Sequence, residues 1–463
     1  MNLHGLLLRR AAENKPLRVA LIGAGKFGSM FLAQVRHTPG IHLIAVADLS
    51  PQRARESLAR VGWDPRQFDA PSLAAAETRA TTFVTDDALP VIAAGACEIV
   101  IDATGNPGAG IRHALACCEH GKHIVMVNVE ADALAGPLLA QRAANAGLIY
   151  SLAYGDQPAL ICEMVDWARA AGFEVIAAGK GTKYLPAYHD STPETVWGHY
   201  GFDAEMVAQG DFNAQMFNSF LDGTKSAIEM AAVANATGLT PAPAGLSFPP
   251  CGVDDLPRVL RPRPEGGWLH HRGQVEVISS LERDGRPVVR DLRWGVYVTL
   301  AAASDYVRRC FKEYGLVTDD TGTYSAMYKP YHLIGLELGI TVASVGLRRE
   351  ATGQASGFRG DAVAVAKRNL RSGETLDGEG GHTVWGRLAP ARDSLQRRAL
   401  PIGLAHGVKV TRAVNKGETV TWNDVSVPDT EAVRVRAEME RLFARDLGIS
   451  TFPAPDGRQQ VRC

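Results

Sequence analysis

Residues 17–28, LRVALIGAGKFG, constrain this chain more than any other stretch. A short, mostly apolar run over 17–22 reads as a buried strand, and Gly23, Gly25 and Gly28 follow it in the spacing G-x-G-x-x-G. The pattern predicts a strand that turns tightly into a helix. Gly23 lets the chain reverse, Gly25 leaves out a Cβ so that backbone can approach a pyrophosphate, and Gly28 lets the new helix lie close on the strand. Amides of the first helical turn, at Lys26 and Phe27, then face the anion. The next strand, IHLIAVAD, ends in Asp48, twenty residues after Gly28, where a carboxylate accepts hydrogen bonds from the hydroxyls of an adenosine ribose. Strand, turn, helix and acid together predict a nicotinamide dinucleotide. Asp48 favours NAD by repelling a 2′-phosphate, while Arg53 keeps NADP open.

Strand and helix patterns then alternate through CEIVIDATG, HIVMVNVEAD and LIYSLAYGDQPAL, the signature of a Rossmann-type doubly wound parallel sheet. Ligands of such sheets sit outside the C-terminal strand ends. The strand-end turns therefore place Thr104, Gly105, Asn128 and Glu130 beside the cofactor and Tyr154 and Asp156 toward a substrate. Loop capping is the plain alternative for Asn128 and Glu130.

From residue 156 the rhythm changes to an α+β pattern. A helix over 158–171 leads to FEVIAAGKGTKYL, a strand whose Lys180 and Lys183 are expected on one face, ready for a substrate carboxylate or phosphate. A long helix over 218–238 carries Asp222 and Lys225, which three-residue spacing would point into one pocket. Strands are expected at 273–280, 286–290 and 293–302, and a helix at 304–314. The stretch 324–332, YSAMYKPYH, reads as a helix N-terminus whose Lys329 and His332 could line the pocket. A glycine-rich linker over 348–361 precedes VAVAKRNLRSGETLDG and VKVTRAVNKGETVTWNDV, two related phrases that imply a small all-β module. The expected domains are 1–155 for the dinucleotide, 156–347 for substrate and dimerisation, 348–430 for the β module, and 431–463 for a charged helix and tail.

The formal charge of −1 argues against nucleic acid or anionic membrane as the partner. No apolar run reaches the length of a bilayer span, and the N-terminus lacks the order of a secretion signal. Seven cysteines without a C-x-x-C pair fit neither a disulfide framework nor a zinc site. His270 and His271 have no third ligand at metal spacing, so no metal is expected. These features suggest a cytoplasmic homo-oligomer acting on a small polar molecule.

From 18 to about 238 the order of motifs resembles homoserine dehydrogenase. The glycine fingerprint, the turn at Asn128, AYGDQPAL, GKGTKYL and the Asp222 and Lys225 helix follow that family's sequence of motifs. The two S/K-G-E-T phrases resemble the SAF domain, a β-clip module. Glu130 stands where the family has a lysine, the acid-to-lysine spacing is one residue shorter, and the amino-acid effector domain is replaced by the SAF-like unit. The chain thus resembles homoserine-dehydrogenase-like oxidoreductases with a C-terminal SAF domain, and the departures turn the expected substrate away from homoserine toward a sugar acid, polyol or hydroxy acid of carbohydrate metabolism.

Hydride transfer to or from a carbinol needs a group that takes or gives the alcohol proton. Lys225 is the expected base, its pKa lowered by partial desolvation, with Asp222 beside it. Two other classes fit the same residues: an isomerase, epimerase or lyase that retains and recycles its nicotinamide, and a dinucleotide-sensing binding protein.

Overall fold

Strand β1 (Leu17–Ile22) lies at the centre of a six-stranded parallel sheet in the computed structural model, which describes residues 2–209 and 212–449. A lead-in helix, α1 (Leu3–Ala12), precedes it. The sheet continues through α2 (Lys26–Val35), β2 (Ile41–Ala47), α3 (Pro51–Arg60), α4 (Leu73–Arg79), β3 (Phe83–Thr85) and α5 (Ala88–Ala93). It is completed by β4 (Ile99–Asp102), α6 (Pro107–Glu119), β5 (His123–Met126), α7 (Val129–Asn145) and β6 (Tyr150–Leu152). The strand order is β3-β2-β1-β4-β5-β6. The strand order runs one way from β1 through β2 and β3 and the other way from β4 onward, and at this switch a crevice opens at the C-terminal ends of β1 and β4. Val19, Ala20 and Leu21 are wholly buried, as a parallel strand covered by helices on both faces requires.

A second sheet follows α8 (Gln157–Ala170) and has the order β10-β9-β7-β8. Its strands are β7 (Glu174–Thr182), β8 (Gln274–Ser279), β9 (Val296–Ala301) and β10 (Tyr324–Lys329), with β7 parallel to β8 and the other pairs antiparallel. Between β7 and β8 run α9 (Val196–Tyr200), α10 (Ala204–Gln209), α11 (Ala214–Leu221), α12 (Thr224–Thr237) and α13 (Leu256–Val259). Helix α14 (Asp305–Glu313) connects β9 to β10, and α15 (Gly339–Ala343) returns toward the first sheet.

Residues 360–426 form the third body. Its elements are β11 (Gly360–Ala366), β12 (Thr375–Asp377), β13 (Val384–Pro390), α16 (Ala391–Arg397), β14 (His406–Val410) and β15 (Val425–Ser426). The two similar phrases pair with each other through Val365 with Thr419 and Leu370 with Val414. Helix α12 is the buried axle of the molecule: every residue on it except Lys225 and Ala236 is buried. Such a helix needs partners all round, and it packs against α7, α8, β11 and β13. Gly360 and Gly386 make this approach possible, since Cβ atoms there would lie 3.1 Å from the Ala234 methyl and 2.9 Å from Thr224 Cγ2.

Four expectations change. The helix expected over 218–238 is broken, because Gly223 adopts φ +93° between α11 and α12. Residues 324–329 form β10 rather than a helix start, with tyrosines suited to a strand edge. Around 286–290 only an isolated bridge of Leu281 with Pro287 forms, since proline lacks the N–H a ladder needs. The glycine-rich stretch after 348 is not a free linker: the Leu152 amide donates to Gly353 O at 2.7 Å, and Ala355 and Phe358 are buried.

The last helix, α17 (Glu431–Asp446), returns to pack on α6 and α7. Its Arg436 is fully buried, donating to both Asp361 oxygens at 3.1 and 2.6 Å and to Glu440 at 2.8 Å. The tail beyond 449 lies outside the described residues. Among the described residues no helix is long and apolar enough to cross a membrane.

Candidate functional site

The turn after β1 has the shape that a dinucleotide requires. Gly23 sits at φ +95°, and a Cβ there would stand 2.7 Å from Ala103 O. A Cβ on Gly28 would meet Gly23 O at 2.3 Å, whereas one on Gly25 would point into open space. Gly25 also caps α2 without any side-chain partner. The first-turn amides at Lys26 and Phe27 are thereby left for a phosphate rather than a side chain. These residues fit a pyrophosphate cradle.

Asp48 is buried at the end of β2. One carboxylate oxygen accepts the Ala24 amide at 2.9 Å, and the other accepts Ser50 N at 2.9 Å and Arg53 Nη2 at 2.8 Å. Asp48 and Arg53 therefore stand together at the C-terminal end of β2, with Arg53 more than half exposed.

A missed residue organises the strand ends. Asp102, fully buried, accepts the Thr104 hydroxyl at 2.8 Å, the Asn128 amide at 3.2 Å and a His113 ring nitrogen at 2.5 Å. Asn128 also donates to Thr104 Oγ1 and Asn106 O and caps α7 through Ala131 N. Asn128 thus cross-links the turns, and Gly105, at φ +63°, lies between them. Asp102 ends its strand, and that position was the signal available in the sequence.

Two residues beyond Asn128, Glu130 turns toward the second domain and forms an ion pair with Lys225 of α12. Glu229, four residues on along the same helix face, pairs with Lys180 of β7 in a buried contact. Asp156 caps α8, accepting Gln157 N at 2.9 Å. From the 329–338 segment, Lys329 pairs with Glu337 at 2.6 Å and lies over the Tyr154 ring, and the Tyr154 hydroxyl donates to Glu163 at 2.5 Å. His332 donates to Trp294 O at 2.7 Å and faces Glu229, Lys180 and Glu337. This segment also meets the cofactor helix, because a Cβ on Gly335 would touch Phe27 O and the Met30 side chain at 2.7 Å. The nucleotide turn and the polar cleft are therefore neighbours.

Electrostatics of the cleft differ from expectation. Burial alone would lower the Lys225 pKa, but Glu130, Glu229, Glu379 and Asp156 outweigh it and hold the ammonium well above its ordinary value. The expected lowered lysine is replaced by a firmly charged one. Burial, aided by Glu229, pushes Asp156 up to about 7. Burial and then Glu130 push Glu379 up to about 8. Burial lowers the His332 imidazole.

Asp222 does not share the Lys225 pocket. It follows α11 beyond the helix break, accepts Thr224 N at 2.9 Å, and pairs with Lys367 of the β module at 2.7 Å. Lys180 and Lys183 also part company. Side chains alternate along a strand, so residues three apart face opposite ways; Lys183 donates to His199 O at 2.5 Å and lies over the Tyr200 ring. Arg293 stands over the same ring, and neither cation has a carboxylate partner among the described residues. The sequence reading missed Glu229, Glu337, Glu379 and Lys367. Only Glu229 carried a sequence signal, its i+4 spacing from Lys225. Among the described residues no three His, Cys, Asp or Glu side chains are grouped to hold a metal ion.

Comparison with known proteins agrees with this division of labour. Residues 17–127 match the family described as "Oxidoreductase family, NAD-binding Rossmann fold". Residues 155–338 match "Oxidoreductase DRL, catalytic domain". The chain therefore carries an NAD-binding Rossmann domain followed by an oxidoreductase catalytic domain. No curated protein matches it. Among solved structures it is similar to an NAD-binding oxidoreductase from Klebsiella pneumoniae, with 15% identity over 69% of this chain and 67% of that one, TM-score 0.31. It is also similar to myo-inositol dehydrogenase from Lactobacillus casei in complex with NAD(H) and myo-inositol, with 12% identity over 39% and 50%, TM-score 0.28. A third is an oxidoreductase from Agrobacterium radiobacter in complex with NAD+, L-tartaric acid and magnesium, with 16% identity over 36% and 44%, TM-score 0.27. The chain spans half or less of the length of the last two.

Proposed function

We propose that this pairing of domains works as an NAD(P)-dependent dehydrogenase or reductase on a small polar hydroxyl or carbonyl compound of the sugar-acid, polyol or hydroxy-acid kind. The observation that carries the reading is the ion pair of Lys225 with Glu130, which sets an ammonium group beside the strand-end turn next to the nucleotide cradle. When bound, the nicotinamide supplies or accepts the hydride. Lys225, held charged, hydrogen-bonds the substrate oxygen and stabilises negative charge developing on it. Its task is electrostatic, and the proton passes through neighbouring carboxyl groups whose pKa burial raises, to about 7 for Asp156. Lys183 and Arg293, two cations without a carboxylate partner among the described residues, suit a carboxylate or phosphate on the substrate. His332, Lys329 and Tyr154 supply further polar contacts for hydroxyl groups.

The motif order supports a homoserine-dehydrogenase-like relation, and the pairing of the two repeated phrases supports an SAF-like module. Exposed Trp294, Tyr328 and Tyr331 along the β10 edge support burial against a second copy, hence a homo-oligomer. Free cysteines support a reducing, cytoplasmic setting.

The test is incubation with NAD+ or NADP+ and a panel of polyols, sugar acids and hydroxy acids, with the reverse reaction on the matching carbonyl compounds, following reduced nicotinamide by absorbance. Turnover unaffected by Lys225→Met would overturn the assignment. A second reading is favoured by the two carboxyl groups of raised pKa around one lysine, which suit proton removal and return on a substrate. In that case nicotinamide is retained and recycled through a net isomerisation. It predicts nicotinamide that co-purifies and substrate conversion without net absorbance change.

A further inference from the structure

We propose that the C-terminal β module completes the active site, with Glu379 touching the substrate as an acid–base carboxyl beside Lys225. This rests on the oxidoreductase reading above.

The loop 377–381 is fastened to the catalytic domain by its backbone. Gln215 Nε2 donates to Asp377 O at 2.9 Å and to Glu379 O at 2.8 Å, and Asn218 Nδ2 donates to Gly380 O at 2.8 Å. Lys367 Nζ donates to Gly381 O at 2.7 Å. Gly380 adopts φ +68°, and a Cβ there would stand 2.0 Å from Gln215 O, so only glycine lets the loop lie on α11. All these fastenings use main chain or other side chains. The Glu379 carboxyl itself meets only the Ser219 hydroxyl as a neutral hydrogen-bond partner among the described residues.

That carboxyl instead faces Lys225 of α12, Glu130 of α7, Asp222 between α11 and α12, and the Ser219 hydroxyl on α11. Lys367, on its own module, is already paired with Asp222. Around the cleft the carboxyls of Glu130, Asp156, Glu229 and Glu379 outnumber the ammonium groups of Lys180 and Lys225 by four to two. Glu130 suffices to pair Lys225, and Glu229 to pair Lys180. A surplus carboxyl in a desolvated cleft costs stability, so one held there by a dedicated loop points to chemistry. Asp156 is the other surplus group, and one of its oxygens also caps α8. Glu379 is free of that task, half-buried, and reachable by water.

In the reductive direction the carboxyl O–H of Glu379 breaks and leaves its electron pair as carboxylate. Its proton bonds to the substrate oxygen, which takes up the C=O π pair, while the hydride of that reading completes the carbon. Water then reprotonates the carboxylate. In the oxidative direction the same carboxylate takes the alcohol proton.

The experiment compares full-length protein with Glu379→Gln and Glu379→Asp. NAD and NADP are titrated by tryptophan fluorescence, turnover of the panel is followed between pH 5 and 9, and thermal unfolding is recorded over the same range. The expected result is unchanged cofactor affinity, a loss of about 100-fold in kcat/KM for Glu379→Gln with its ionisation missing from the pH profile, and partial recovery in Glu379→Asp. A carboxyl raised in the folded state costs stability above its unfolded pKa, so wild type should lose stability as pH rises toward about 8 and Glu379→Gln should lose less. Turnover of Glu379→Gln equal to wild type at every pH overturns the role of Glu379 alone. Loss of turnover together with cofactor affinity and no recovery in Glu379→Asp also overturns it, as a structural effect. If no panel compound reacts, identical pH dependence of unfolding in wild type and Glu379→Gln overturns it. Wild type that binds neither NAD nor NADP overturns the underlying reading instead.

Discussion

The Asp222 carboxylate lies 2.7 Å from the Lys367 ammonium, and both side chains are almost wholly buried. A residue just past the end of α11 is thus neutralised by one that follows β11, so the catalytic domain and the β module share a charge pair at their seam. Lys367 also donates to Ser191 O at 2.7 Å.

Removing Lys367 leaves Asp222 charged and buried without a partner. Lys367→Met should therefore lower stability by about 3 to 5 kcal/mol, measured by urea unfolding at pH 8. The deficit should shrink at pH 5, where an uncompensated Asp222 takes up a proton, because burial already pushes that carboxyl above its ordinary value. An equal deficit at both pH values would show that packing, not charge, holds the seam.

Lys225→Met should reduce kcat by about 10² to 10⁴-fold, the range for a positioned electrostatic or proton-transfer group, with cofactor affinity little changed. Glu130→Gln should cost less, since Glu229, Glu379 and Asp156 still surround the ammonium. A double-mutant cycle measures the coupling of the pair. Additive effects would mean that the ion pair does not act as a unit.

Asp132, two residues along α7 from Glu130, reports on burial alone. It is fully buried on α7, accepts the Tyr150 hydroxyl at 2.8 Å, leaves its second oxygen unpartnered, and is pushed by burial to about 6. A carboxyl raised in the folded state loses stability as pH climbs from its unfolded value through the folded one, a window of about pH 4 to 6 here. Asp132→Asn should remove that slope and leave the protein about 3 kcal/mol more stable at pH 8, from a shift of about two units. Chemical denaturation at pH 4 and pH 8 checks it.

At the ribose end, Asp48→Ser should weaken NAD and strengthen NADP. The change removes a carboxylate that repels a 2′-phosphate and frees Arg53 to meet one. An effect of about tenfold on the ratio of dissociation constants is expected, roughly 1.4 kcal/mol. Thermal unfolding must accompany the titration, because the same carboxylate accepts the Ala24 amide. The double variant Asp48→Ser with Arg53→Ala should lose the gain for NADP.

The nucleotide half is legible in the order of residues alone. Gly23, Gly25 and Gly28 act within one strand, turn and helix, with Asp48 closing the next strand, so their spacing is local in sequence. The strand-end positions of Thr104 and Asn128 follow from the same alternation. Lys225 was legible as a candidate, but its electrostatic character was not. A pKa depends on which charges lie within a few ångströms in space, and here they come from α7, α8, α12 and a loop of the β module. The separation of Asp222 from Lys225 turns on the positive φ of Gly223, which broke a helix whose apolar pattern ran straight through. Glu379 lay more than 150 residues from Lys225 in a glycine-rich turn with no motif around it. Only the docking of the third body onto α11 and α12, through main-chain hydrogen bonds and close glycine contacts, brought its carboxyl to the cleft.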